Sequence, residues 1–386
     1  MPRPLLFILV FYFLLPLYAA SQERDANSPN FQTQIVDSNI EIGYGLAIGD
    51  VDGDKKADIL LVDKKQIVWY RNGDWQRFVM VDQLTDRDNV CIAARDINND
   101  GQVEVAVGAQ WSPGETSDTN NSGSVHYLRR PQDPTKYWQP VQLHHEPTVH
   151  RMRWIKTGNS YQLVVLPLHG RGNKKGEGEG VKVMAYQQPE DPGDAWPYET
   201  IDQSMHLTHN FDLIAHNGGE ALLVGGKEGA KVISFQEGKW QKADHSDWFI
   251  EDHGFGEIRK SGNLIAGVQP LHGNTLALYN VSKQRKVLFD SMKQGHALAF
   301  ADLLSQGQDQ IIVGWRNEND QEQLGIKLFV ADDPEWSSWY SFWIDKNGMA
   351  CEDLKIADLN GDGKLDIVAA GRSTKNLKIY WNGGKE

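Results

Sequence analysis

GDVDGDKKADILLV at 49–62, RDINNDGQVEVAVG at 95–108 and ADLNGDGKLDIVAA at 357–370 are one phrase written three times. Each opens on an acidic turn and runs directly into an apolar stretch. Each is preceded by an alternating segment (GYGLAI, NVCIAA, CEDLKI) and followed by another (QIVWYRN, SVHYLRRP, LKIYWNG). Period-two alternation predicts strands, and the Asp-, Asn- and Gly-rich phrase predicts a tight turn between the first two. A last strand pattern, DWQRFVMVD or YWQPVQLH, completes the unit. Four short strands in about 45 residues is a period of solenoids and propellers.

Degenerate copies fill the middle of the chain: HRMRWIKTGNSYQLVVLPLHG, HNFDLIAHNGGEALLVGG, HGFGEIRKSGNLIAGVQPLHG and HALAFADLLSQGQDQIIVGW. Seven units therefore start near residues 43, 89, 148, 208, 253, 296 and 351. The last copy stops after three strands, at IYWNGG. FQTQIVDSN at 31–39 resembles its missing fourth strand. Such complementarity between the two ends separates a closed ring from an open array, because closure hides sheet edges. The expected fold is all-β, a seven-bladed β-propeller whose N-terminal strand closes the last blade.

Residues 1–20 (MPRPLLFILVFYFLLPLYAA) read as a signal peptide: Arg3, an apolar run, then Ala19-Ala20. The run is short for a membrane span and polar residues follow at once. The expected domain is a single propeller over 21–386, exported to periplasm or medium. Cys91 and Cys351 are the only cysteines, so a disulfide framework is excluded, and buried thiols are favoured over a bridge. A net charge of −13 argues against nucleic acid and anionic membranes as partners, and no membrane insertion is expected of the mature chain. The oligomeric state is open, with a monomer favoured.

The acidic turns have the alternate-oxygen pattern that wraps a hard cation. Asp50, Asp52, Asp54 and Asp58 form one set, Asp96, Asn98, Asp100 and Glu104 a second, and Asp358, Asn360, Asp362 and Asp366 a third. They predict structural Ca²⁺. The competing reading is an Asx-rich turn that needs no ion. The motif resembles the FG-GAP or VCBS repeats of extracellular propellers, a resemblance that implies fold and leaves function open.

Histidines punctuate the other end of the units. His150, His209, His253 and His296 precede four successive inner strands, and His169 and His272 end second strands in LPLHG and QPLHG. A strand start and the end of its antiparallel neighbour share one face, opposite the acidic turns. Six imidazoles on one rim predict a transition-metal site, with Zn²⁺ first. His150, His209 and His253 are the expected ligands. His296 is the runner-up ligand and is otherwise counted, with His169, His272, Arg153 and Arg259, among acid–base or substrate groups. Alternation is expected to turn one arginine of the 151/153 pair away from the channel. RGNKKGEGEG at 171–180 reads as a mobile lid and WSPGETSDTNNSG at 111–123 as a second insertion on that side. Trp111 and Trp315 are candidates to stack on sugar rings. No paired carboxylates are expected on the rim, which argues against a glycosidase.

VHRMRW, VVLPLHGRGNKKGEGEGVKV, HNFD, EDHGFGE and VQPLHG together resemble the propeller domain of aldos-2-ulose dehydratase. That resemblance implies a zinc in a cleft that polarises a sugar ketone, and a histidine that takes the adjacent proton. It points to His150, His169, His209, His253 and His272 as a group. The expected function is a zinc-dependent lyase acting by β-elimination on a keto-sugar, of the anhydrofructose or 3-keto-glycoside type. The alternatives are a polysaccharide lyase of ulvan type acting on uronate-containing glycans, hydrolysis by metal-bound water, and a non-catalytic propeller that binds carbohydrate or protein.

Overall fold

The structure, a computed structural model, describes residues 22–23, 29–242, 253–280, 282–333 and 336–383. The expected signal peptide lies outside the described residues. Those described form seven antiparallel sheets without helices. Blade 1 runs outward through Gly45–Gly49, Asp58–Val62, Gln66–Tyr70 and Arg77–Asp82. The innermost strands of blades 2 to 7 are Cys91–Arg95, Val149–Thr157, Thr208–His216, Ile258–Ser261, Gly295–Ala301 and Cys351–Ala357. Each touches the innermost strands of both neighbouring blades, and Cys351–Ala357 returns to Gly45–Gly49. The chain is a seven-bladed β-propeller.

Closure comes from the predicted segment. Phe31–Asp37 pairs antiparallel with Asn376–Asn382, placing Gln32 opposite Trp381 and Gln34 opposite Ile379. Trp381 Nε1 donates to Gln34 Oε1 at 2.8 Å. The lead into blade 1 is then fixed by Asp63, whose carboxylate accepts from the amides of Glu41, Ile42 and Gly43 at 2.7, 2.7 and 3.0 Å. Gln22–Glu23 adds a short parallel strand to the outer edge of blade 6, which the repeat pattern does not foreshadow.

The core lies between blades, so both faces of the middle strands are buried; Asp58–Val62 is buried throughout. Gly314 marks a close approach of blades 6 and 7: a Cβ there would stand 2.5 Å from Cys351 Sγ. Cys91 and Cys351 are both free and buried, as the sequence reading favours.

The last acid of each repeated phrase holds its turn to the sheet. Asp58 accepts from the amides of Val51 and Asn72, both at 2.8 Å. Asp366 accepts from Leu359 at 3.1 Å and Asn382 at 2.9 Å. Glu104 accepts from Ile97 at 3.0 Å and from Asn98 Nδ2 at 3.0 Å. Among the blades that lost the last acid, blade 4 passes from His216 to Gly219 through Asn217 and Gly218, both at positive φ, whereas blade 6 keeps the long turn between Ala301 and Gln310, where Gln310 Oε1 accepts from Leu304 N at 3.0 Å.

Deleting residues 1–37 should leave Asn376–Asn382 as a bare sheet edge. The expected outcome is a lower Tm and new protease cleavage near 376–382, read by thermal unfolding and limited proteolysis. Unchanged resistance would show that the pairing adds nothing to closure.

Candidate functional site

The mouth of the channel opposite the acidic turns is built by a repeated irregularity. In blades 3, 4, 6 and 7 the pairing of the innermost strand skips one residue: between Val149 and Arg151, Thr208 and Asn210, Gly295 and Ala297, and Cys351 and Asp353. A bulge leaves its extra residue out of the ladder and re-aims it. The four extra residues are His150, His209, His296 and Glu352. In blade 5, Gly256 N donates to Val268 O and Val268 N to Glu257 O, which puts Glu257 at the matching place.

Three imidazoles converge. The ligand nitrogens of His209, His272 and His296 all lie within 4.8 Å of one another. Nε2 of His209 and Nε2 of His272 are 2.6 Å apart. The rings of His272 and His296 stack at 4.8 Å. His150 adjoins them, its ring centroid 4.8 Å from that of His209, and stacks on Trp111 at 5.0 Å. His169 stands beside His150 on the lip, where it bridges to Leu207. Burial lowers the pKa of all five, and Arg151 or Arg316 lowers most of them further. At neutral pH they are uncharged, the state in which imidazole donates a lone pair to a metal.

Two buried carboxylates set the electrostatics of this rim. Glu257 Oε2 accepts from Asn210 Nδ2 at 2.5 Å and Arg259 Nη2 at 3.2 Å. Its Oε1 faces His209 Nδ1 at 3.7 Å and Arg151 Nη2 at 3.9 Å. Glu352 accepts from Arg316 at 3.1 Å and Arg372 at 3.0 Å, and its Oε1 lies 3.9 Å from His296 Nε2. His296 Nδ1 is 2.5 Å from the Glu352 carbonyl and can donate to it. Carboxylate and carbonyl partners of this kind orient imidazoles around a metal.

A metal fits the observed donors. The ligand nitrogens of His209, His272 and His296 lie within 4.8 Å of one another, while Glu257 Oε1, His150 Nε2 and His169 Nδ1 beside them are buried without a hydrogen-bond partner among the described residues and are left for contacts other than the metal. Neutral imidazoles aimed at one point are zinc chemistry rather than calcium chemistry.

Several expectations need correction. His253 lies on an exposed turn before blade 5 and does not join the cluster; Glu257 occupies the place expected of it. His272 stands in the convergent trio with His209 and His296, whereas His150 lies just outside it. Arg151 and Arg153 both line the channel, because residues two apart on a strand share a face. Arg153 sits below the rim and lies 5.5 Å from the Phe211 ring, and Arg259 is engaged by Glu257 and the Ile258 carbonyl. Trp315 is fully buried between Phe289 and Trp343 and cannot stack on a ligand, whereas Trp111 reaches the rim. The 171–180 segment is pinned by buried Asn173, which donates to the carbonyls of Glu179 and His206 and accepts from Gly176 and Glu177. Gly172 N donates to Thr116 O at 3.0 Å, so this segment and the 111–123 insertion form one wall.

Glu257 and Glu352 are the residues that sequence reasoning missed, against its expectation of a rim without paired carboxylates. Both stand in quoted phrases, EDHGFGE and CEDLKI. A period-two count through CEDLKI selects Asp353, because a bulge is invisible to it.

Of the acidic turns, only 50–58 gathers three carboxylates: Asp50, Asp52 and Asp58 offer oxygens within 4.8 Å of one another. Asp54 stays exposed and accepts from Lys56 N at 2.8 Å. Asp96 and Asp358 each accept from two backbone amides of their own turns, and Asp100 and Asp362 from one each. Asn98 and Asn360 accept from the amides of Asp100 and Asp362.

Residues 122–282 match the family described as aldos-2-ulose dehydratase, beta-propeller domain. The chain resembles a dehydratase propeller. Residues 33–107 match the FG-GAP-like repeat, which covers the first two acidic turns. The dehydratase match contains His150, His169, His209, Glu257 and His272; His296 and Glu352 lie beyond it. No curated protein matches the chain. Among solved structures it is similar to a chain in the crystal structure of BBS1N in complex with ARL6DN, at 12% identity and TM-score 0.57, covering 93% of this chain and 98% of that one. It is also similar to a chain of the Mitotic Checkpoint Complex, at 10% identity and TM-score 0.57, covering 98% and 100%. At such identity these likenesses carry the fold alone.

Glu352→Ala would leave Arg316, 12% exposed, without its carboxylate, while Arg372 stays solvated. The expected loss is about 3–5 kcal/mol of stability, measured by urea unfolding. A loss near zero would mean that solvent already compensates Arg316.

Proposed function

We propose that the histidine rim is the active site of a metal-dependent carbon–oxygen lyase, exported from the cell, that removes water from a keto-sugar by β-elimination. The observation that carries this reading is the convergence of His209, His272 and His296 beside two further neutral histidines. The dehydratase match over 122–282 supports the reaction class. His209, His272 and His296 would hold the ion, zinc first, as three neutral nitrogen donors. When bound, the ion supplies Lewis acidity toward a sugar carbonyl, which makes the neighbouring C–H bond acidic.

The chain's own residues handle the protons. His169 is held neutral by burial, and its Nδ1 has no protein partner, so this ring can accept the proton beside the carbonyl. Passing that proton to the departing β-hydroxyl releases water and leaves the ring neutral. Arg151 Nη1 lies 3.4 Å from His150 Nδ1, and arginine only donates. The His150 proton therefore belongs on Nε2, where it can donate to a sugar hydroxyl. Trp111 and the joined 111–123 and 171–180 segments wall the site against water.

Mature protein should retain about one zinc per chain after mild calcium removal. His209→Ala and His272→Ala should each lose it, and His253→Ala should keep it, by elemental analysis. Zinc retained by the first two variants would reject the ligand set. Turnover is tested on 1,5-anhydrofructose, 3-keto glycosides and uronate-containing polysaccharides by ultraviolet absorbance. Elimination creates a conjugated enone or an unsaturated uronate. Saturated products would reject elimination, activity on polysaccharides alone would make the protein a polysaccharide lyase, and glycan binding without turnover would make it a binding propeller.

The 50–58 turn supports calcium as a structural ion. Burial, the main cause, pushes the Asp58 carboxyl up to about 7, above its ordinary 3.8. A carboxyl raised on folding contributes stability that is present below 3.8 and lost as pH rises through about 7. A cation needs the ionised form and opposes that loss. Calcium should therefore raise Tm more at about pH 7.5 than at about pH 5.5, relative to chelator, and Asp58→Asn should abolish the difference. An equal rise at both values would remove Asp58 from the calcium shell.

A further inference from the structure

The channel continues below the histidines. Arg153 lines the chamber under the rim with Arg151 and Asp353. It also lines a second chamber, together with Asp212, Arg259, Lys260 and Lys355. This second chamber is walled by the far halves of the inner strands, which lead toward the acidic-turn face and away from the rim.

Charge in the second chamber is unevenly compensated. Lys355 Nζ is held by both oxygens of Asp353, at 2.8 and 2.7 Å. Arg259 is held by Glu257 at 3.2 Å. Lys260 Nζ donates to the Gly262 carbonyl at 2.6 Å. Arg153 Nη1 donates to the Met152 carbonyl at 2.8 Å, and the guanidinium lies 5.5 Å from the Phe211 ring. Among the described residues no carboxylate oxygen comes within 4.0 Å of Arg153. Asp212 is the one acid lining the chamber, and burial raises its pKa, which weakens it as a counter-charge. Guanidinium does not shed its proton, so Arg153 brings a full positive charge into a recessed site already beside Arg259. Arg153 is half-buried, and Asp353 and Asp212 offset its charge only from beyond hydrogen-bond distance, so its N–H donors are left for a ligand.

We infer that the second chamber binds a small oxyanion, of the phosphate, sulfate or carboxylate class, between Arg153, Arg259 and Lys355. The planar fork of Arg153 offers paired N–H donors to two oxygens of one anion. Lys355 and Arg259 add charge from the walls and keep their own carboxylates. This site is separate from the rim and does not depend on the lyase reading.

Isothermal titration calorimetry on the mature full-length chain, with inorganic phosphate and separately with acetate, tests it. One saturable event is expected with at least one probe, and comparing the two distinguishes a multivalent oxyanion from a carboxylate. Arg153→Met should weaken binding about tenfold or more. His209→Ala should leave it unchanged. Where Arg153→Met fails to fold by circular dichroism, Arg153→Lys keeps the charge and loses the fork, and reduced affinity is expected. The inference is overturned by an absence of saturable binding to wild type, by a folded Arg153 variant that binds as wild type does, or by loss of binding in His209→Ala.

Discussion

Pairing of Phe31–Asp37 with Asn376–Asn382 turns a row of sheets into a ring. Seven sheets with a free end could splay, and their inner strands would share no axis. Once the last blade is completed by the first segment of the propeller, every innermost strand must touch its two neighbours. The strand starts then crowd one mouth of the channel. Ligand nitrogens from blades 4, 5 and 6, far apart in sequence, come within 4.8 Å of one another there, and the His150 ring of blade 3 packs beside them. The histidine cluster is thus a consequence of closure before it is a consequence of any local motif.

The ring divides its labour. Blades 7, 1 and 2 keep the acidic phrase, and they are consecutive across the closure point. Their last acids, Asp366, Asp58 and Glu104, hold turns against sheets through backbone amides. Blades 3 to 6 have lost these acids and carry the rim histidines instead. The loss is structurally tolerable because tight turns need no carboxylate, as Asn217-Gly218 shows in blade 4.

At the rim, burial is the dominant electrostatic effect. It keeps five imidazoles neutral at one mouth, which removes the repulsion that five charged rings would create. The positive charge of the mouth resides on arginines, and Glu257 and Glu352 answer it. Neutral donors beside fixed cations are the arrangement that the proposed metal and an electron-rich substrate would need.

The sequence by itself determined the strand period, the seven units, the split last blade and the face on which histidines gather. Those follow from alternation and turn chemistry, which are local. It also placed His150, His169, His209, His272 and His296 on one rim. What only the tertiary structure decided is who touches whom. Bulges at His150, His209, His296 and Glu352 add one residue to a strand, and nothing in a two-residue period marks where. The lead into blade 5 carries His253 outside the rim and leaves Glu257 in its place, although the histidine follows the same written pattern as its neighbours. Distances between blades depend on ring closure and strand irregularity, which are properties of the whole chain.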